Sequence, residues 1–199
     1  MCDTLQVHLI PGSSGLDLTT IVSLVIGVAG LLFGIYQYFI GRRGKRIEYL
    51  DGLVKRLREE PLLKSATLLL DWETRDIKIG ERTVDFDVRM LPHALADHNT
   101  FENSMIEGFN DDEVAIRDAF DAFFDFCSSV QYVVELGMVN HDDIFSSPLA
   151  YYLNKILEKD GMTGEALTKY IRAYSFHKTN KLLEAYKERI GKIAKRIRI

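Results

Sequence analysis

The chain has 199 residues, 47% of them hydrophobic and 27% charged, with a formal net charge of −4. This is an ordinary globular composition with no low-complexity linker or internal repeat, and its two cysteines, Cys2 and Cys127, exclude a disulfide framework. His8, His93, His98, His141 and His177 lack any C-x-x-C or H-x-x-x-H spacing, so neither a metal centre nor a cofactor is expected.

After a short segment, residues 1–17, the stretch from Leu18 to Ile40 runs without a charged side chain and is followed at once by Arg42, Arg43, Lys45 and Arg46. A helix of that length reaches about 34 Å, enough for a hydrocarbon core of about 30 Å. The run is too long for a cleaved leader, and no basic residue precedes it. The expectation is one transmembrane helix over 18–40, with Tyr36 and Tyr38 as interfacial anchors and the four basic residues at the headgroups. The positive-inside rule then puts residues 1–17 outside and 41–199 in the cytoplasm.

The polar and small residues of that helix are not scattered. At 100° per residue, Thr20, Ser23, Gly27, Gly30, Gly34 and Gln37 fall within an arc of about 100°. Ser23, Gly27, Gly30 and Gly34 form a small-residue seam containing a G-x-x-x-G, the pattern that lets membrane helices approach closely. That face is expected to pack against other copies or to line a pore, leaving Ile21, Val22, Leu24, Val25, Leu32, Phe33, Ile35 and Phe39 to lipid.

Residues 41–199 read as one mainly helical domain. Ile47, Leu50, Leu53, Val54 and Leu57 recur at helical spacing before Pro61, as an amphipathic stalk, and Leu62 to Trp72 is a second helix with Pro61 at its start. Ile77, Ile79, Val84, Phe86 and Val88 alternate with polar residues around Gly80, which suits a short β-hairpin near 77–88. The longest core helix runs from Asp111 to about Gly137, capped by Asn110 or Asp111, with Ile116, Phe120, Phe123, Phe124, Cys127, Val130 and Val134 as its buried stripe. Pro148 to Lys159 gives another helix. A last long one is capped by Thr163 and continues through Leu167, Tyr170, Ile171, Tyr174, Leu182, Leu183, Tyr186, Ile190 and Ile193.

The small net charge conceals two opposed blocks. From Asp71 to Asp143 the chain holds eighteen acidic and five basic residues, and from Lys169 to Ile199 ten basic and two acidic. A basic helix can face nucleic acid or lipid headgroups. The expected use is packing against the acidic half of its own or a neighbouring subunit, with RNA binding the less favoured alternative.

One short motif has chemical potential: Arg172 and His177, separated by Ala173, Tyr174, Ser175 and Phe176. In a metal-independent ribonuclease His moves a proton and Arg stabilises charge on the phosphate. A helical domain of this size with R-x-x-x-x-H near its end resembles a divergent HEPN domain. Joined to a single N-terminal span, it resembles the small membrane accessory proteins of type VI-B CRISPR systems. That resemblance implies a ring-like homo-oligomer, an octamer, that forms a pore, perturbs the inner membrane and enhances antiphage defence by an RNA-targeting CRISPR nuclease. Nuclease members of the wider group usually carry a polar residue directly after the Arg. Ala173 stands there, which favours a structural role for the pair. The alternatives are a membrane-tethered ribonuclease and an effector gated by a nucleotide signal, although no Gly-rich phosphate loop is present.

Overall fold

The computed structural model describes residues 18–97, 108–159 and 161–197, so the expectations for residues 1–17 (Cys2 and His8 among them) and for His98 lie outside the described residues. The described chain is mostly helical with one two-stranded sheet, and it divides into two compact units, one ending at Lys45 and the other beginning at Arg46.

Helix α1, Leu18–Glu59, is 42 residues long. Nothing in its sequence stops it before Pro61, which opens α2, Pro61–Asp71, at the first helical position where a missing N–H costs nothing. The apolar part of α1 is long enough and apolar enough to cross a membrane by length and composition. In the second unit the same helix turns amphipathic, and Leu53 and Leu57 enter the core, as the stalk periodicity requires.

The hairpin expected near 77–88 is present as β1, Thr74–Ile79, paired antiparallel with β2, Arg82–Asp87. Its register sets Ile77 opposite Val84 and Arg75 opposite Phe86, so Ile77, Ile79, Val84 and Phe86 all turn to the core. Gly80, with φ at 61°, is the first residue of the two-residue turn, a position where a side chain would be strained. A 3₁₀ turn, Val88–Met90, and the one-turn α3, Leu91–Ala94, follow.

The centre of the domain is α4, Asp111–Glu135. Asn110 caps it: its side chain accepts from the Asp112 and Glu113 N–H groups while Glu113 accepts from the Asn110 N–H at 2.9 Å. The helix stops at Gly137, φ 70°, whose N–H reaches Val134 O while Met138 N–H reaches Val133 O, the paired bonds of a left-handed C-cap. Ile116, Phe120, Phe123, Phe124, Cys127 and Val130 are buried as expected, and Val134 is partly buried. The Cys127 thiol is held well above its ordinary pKa by burial, consistent with an inert apolar role.

The chain continues through α5, His141–Phe145, α6, Leu149–Glu158, α7, Gly161–Ala173, and α8, His177–Ile197; α2, α3 and α8 pack on α4, and α5, α6 and α7 pack against α8. Phe124 lies at the hub, its ring 5.4 Å from Phe176 and 6.2 Å from Tyr170. Thr179 ties α8 to α4 by donating to Phe124 O at 2.6 Å and sharing a bond with Ser128.

Two expectations are corrected. The final long helix is two helices, α7 and α8, because Ser175 adopts φ 61° and ends α7 in the same paired-bond cap, Ser175 N–H to Arg172 O and Phe176 N–H to Ile171 O. Thr163 is not the cap: α7 begins two residues earlier at Gly161, φ 61°, and Gly164 passes so close to Lys159 O that an added Cβ would stand 1.9 Å away.

The opposed charge blocks meet inside this one domain. Lys178 and Lys181 of α8 both reach Glu135 at the end of α4, at 2.8 and 2.9 Å, and Arg189 pairs with Asp142. These pairs bear out the intramolecular half of the charge expectation.

Two measurements check this packing. Phe124→Ala should cost about 3–5 kcal/mol in detergent unfolding, against less than about 0.5 kcal/mol for an exposed substitution such as Asp118→Ala. Glu135 is held down to about 2 chiefly by its bonds to Lys178 and Lys181. Its contribution to stability is therefore full above the ordinary carboxylate range and is lost as pH falls toward about 2, so Glu135→Gln should flatten the acid limb of a stability profile in that window.

Candidate functional site

Among the described residues of α1, Thr20, Ser23, Gly27, Gly30, Gly34 and Gln37 are all exposed. A Cβ built on Gly27, Gly30 or Gly34 would meet nothing within 4 Å. The missing side chains leave a shallow groove lined by Gly30, Leu31, Gly34, Ile35, Tyr38 and Phe39. A groove of backbone and small atoms flanked by bulky apolar ones is a surface shaped for the ridge of another helix.

The basic cluster below it is not uniform. Arg42, Arg43 and Lys45 are exposed, as headgroup contacts would require. Arg46 instead pairs with Asp143 of α5 at 3.3 Å, and Asp143 also accepts from the Asn140 N–H at the start of that helix. Arg46 therefore fastens the start of the stalk to α5.

Arg172 and His177 fall on opposite sides of the α7–α8 break. Both are exposed, and the Arg172 side chain makes no hydrogen bond or ion pair among the described residues. Arg172 lines two cavities, one on each side of α7. The first is bordered also by Ile156, Lys159, Thr168, Lys169, Asn180 and Lys187, the second by Pro92, Leu95, Tyr170 and Ala173. His177 lines neither. The ion pair expected of a structural role for Arg172 is not found among the described residues.

What this segment contributes to the fold comes from the residues between them. Phe176 packs on Phe124, and Tyr174 reaches a cluster that the sequence reading missed. Arg117 of α4 is only 6% exposed. Its guanidinium donates to Ala94 O at 2.9 Å, Ala96 O at 2.8 Å and the Tyr174 hydroxyl at 2.7 Å, and lies 4.2 Å from the Phe109 ring centre. One turn before it, Glu113, 7% exposed, accepts from His93; one turn after, Asp121 accepts from the Tyr170 hydroxyl at 2.6 Å. Burial pushes the Asp121 carboxyl up, while the Tyr170 bond and the Arg117 charge pull it back. The signal available in the sequence was the spacing of Glu113, Arg117 and Asp121 at four-residue steps on a helix otherwise rich in Phe. Among the described residues, no group of three or more His, Cys, Asp or Glu is placed to hold a metal ion.

Removing Arg117 takes away the donor to two carbonyls and the Tyr174 hydroxyl. Arg117→Ala should therefore cost about 3–5 kcal/mol, measured by chemical unfolding. Arg172→Ala, at an exposed side chain with no partner among the described residues, should stay within about 0.5 kcal/mol.

Comparison with protein-family models, with curated proteins and with solved structures finds no match to this chain.

Proposed function

We propose that the protein is an oligomeric membrane effector. In this reading α1 crosses the bacterial inner membrane once, residues 1–17 lie outside, and the helical domain lies in the cytoplasm. Copies associate through the Ser23, Gly27, Gly30 and Gly34 face into a ring, and the ring forms a pore that perturbs the membrane. The observation that carries the reading is that none of the apolar window of α1 is buried, while its small residues present an open groove. Lipid can cover the apolar face, and only a second helix can fill the groove well. Action alongside an RNA-targeting CRISPR nuclease is the biological setting that the resemblance to type VI-B accessory proteins and HEPN domains suggests.

The ribonuclease alternative needs Arg172 and His177 on one phosphate, and their separation into two helices argues against it. Gating by a nucleotide signal has one observation in its favour. The cavity between α6, α7 and α8 is bordered by Lys159, Lys169, Arg172 and Lys187, against Glu165 and Glu184.

Gly30→Leu with Gly34→Leu should leave membrane insertion intact and lower the mass of the detergent-solubilised complex, with loss of liposome leakage. An unchanged mass would remove the seam from the account. RNA cleavage in chelator by the wild type that vanishes in His177→Ala, with mass and leakage unaffected, would replace the pore reading by the ribonuclease one.

A further inference from the structure

The last two turns of α8 leave the domain. Up to Arg189 its apolar face is covered, with Phe145 of α5 lying 5.0 Å from the Tyr186 ring and 5.5 Å from the Arg189 guanidinium. Beyond that point the same face continues as Ile190 and Ile193, 37% and 46% exposed, and no element covers it among the described residues. On a helical wheel Tyr186, Ile190, Ile193 and Ala194 fall within about 100°, and Lys192, Lys195 and Arg196 occupy an arc of about 100° on the opposite side. Of these three cations only Lys192 has a partner among the described residues, Glu188 one turn back at 4.0 Å. The acidic groups that neutralise the rest of the helix, Glu135 and Asp142, are used by Lys178, Lys181 and Arg189.

Where this tip emerges matters as much as its composition. Arg46, the first residue of the second unit, pairs with Asp143, and Arg189 pairs with the adjacent Asp142. The stalk of α1 enters this unit, and the tip of α8 leaves it, at the same end, marked by one short helix. The connection from Ile40 to Arg46 spans at most about 20 Å even fully extended, and the eight residues after Arg189 extend about 12 Å.

We infer that the α8 tip is an interfacial membrane-binding element, which lays Ile190 and Ile193 at the headgroup–acyl boundary of an anionic leaflet with Lys192, Lys195 and Arg196 among the headgroups. Segregated apolar and basic faces are the signature of a helix that lies in the interface, and each basic residue near an anionic surface contributes roughly a fivefold gain in partitioning. Anionic lipid is the occupant that satisfies both faces at once, whereas RNA would leave the isoleucines in water. The inference rests on the reading that α1 spans the membrane.

The test uses the full chain with Cys2→Ser, so that buried Cys127 is the remaining native thiol, and a fluorophore on Ile193→Cys or, in a companion protein, on Val25→Cys. Each is reconstituted into vesicles of phosphatidylcholine alone or mixed with phosphatidylglycerol, with and without nitroxide-bearing lipid as quencher. The position 193 label should be quenched by lipid in the phosphatidylglycerol vesicles and much less in phosphatidylcholine. High salt should abolish that quenching, and so should Lys192→Gln, Lys195→Gln and Arg196→Gln together, while the position 25 label stays quenched throughout. A position 193 label in water beside a quenched position 25 label would overturn the docking and leave the span standing. Shielding at 193 that follows the protein-to-lipid ratio without lipid quenching would assign the face to another copy and overturn it too. An unquenched position 25 label would overturn the spanning reading, and the docking with it.

Discussion

The apolar half of α1 finds no cover among the described residues, and this one constraint governs the rest of the reading. Leu24, Val25, Ile26, Leu31, Leu32 and Phe33 are each more than half exposed. Leaving side chains of this kind in water costs about 1.5–3 kcal/mol apiece, and the segment is long and apolar enough to cross a membrane. Its small-residue face divides that surface: bulky side chains suit lipid, and the glycine groove suits a neighbouring backbone.

The second unit solves a different problem, how to hold a compact domain around charges that its own core encloses. Arg117 is the clearest instance, since a guanidinium placed among Phe109, Tyr170 and Tyr174 is stabilised by donating hydrogen bonds to two carbonyls and a hydroxyl. The acceptors come from the end of α3 and the chain just after it and from the α7–α8 junction, so one side chain of α4 clamps segments far apart in sequence. The break at Ser175 gains a physical reason here: turning the chain after Ala173 brings Tyr174 to Arg117 and Phe176 to Phe124.

Local rules carried much of this architecture in the sequence. The alternation at Ile77, Ile79, Val84 and Phe86 fixed the hairpin, and the Asn110–Glu113 spacing and Gly137 marked both ends of α4, because each is decided within a few residues. The α7–α8 break was not legible, since apolar periodicity runs on through it and a serine in the left-handed region carries none of the signal that glycine would. Arg117 escaped because burial of a charge depends on acceptors about twenty and fifty-seven residues away, which no window reveals. At the R-x-x-x-x-H motif the spacing directed attention to Arg172 and His177, whereas the packing residues are Tyr174 and Phe176. Arg46 illustrates the same limit, for a basic cluster reads as uniform until one member is seen paired with Asp143.

The central claim is that the glycine face of α1 is the face that meets other copies in the bilayer. Single cysteines walked from position 20 to position 37 in a Cys2→Ser background, oxidised in native membranes, test it directly. The account predicts dimer formation that peaks at positions 23, 27, 30 and 34, with a period of about 3.6 residues, and falls at Val25 and Leu32 on the opposite side. Cross-linking without periodicity, or with its maximum at positions 25 and 32, would contradict it.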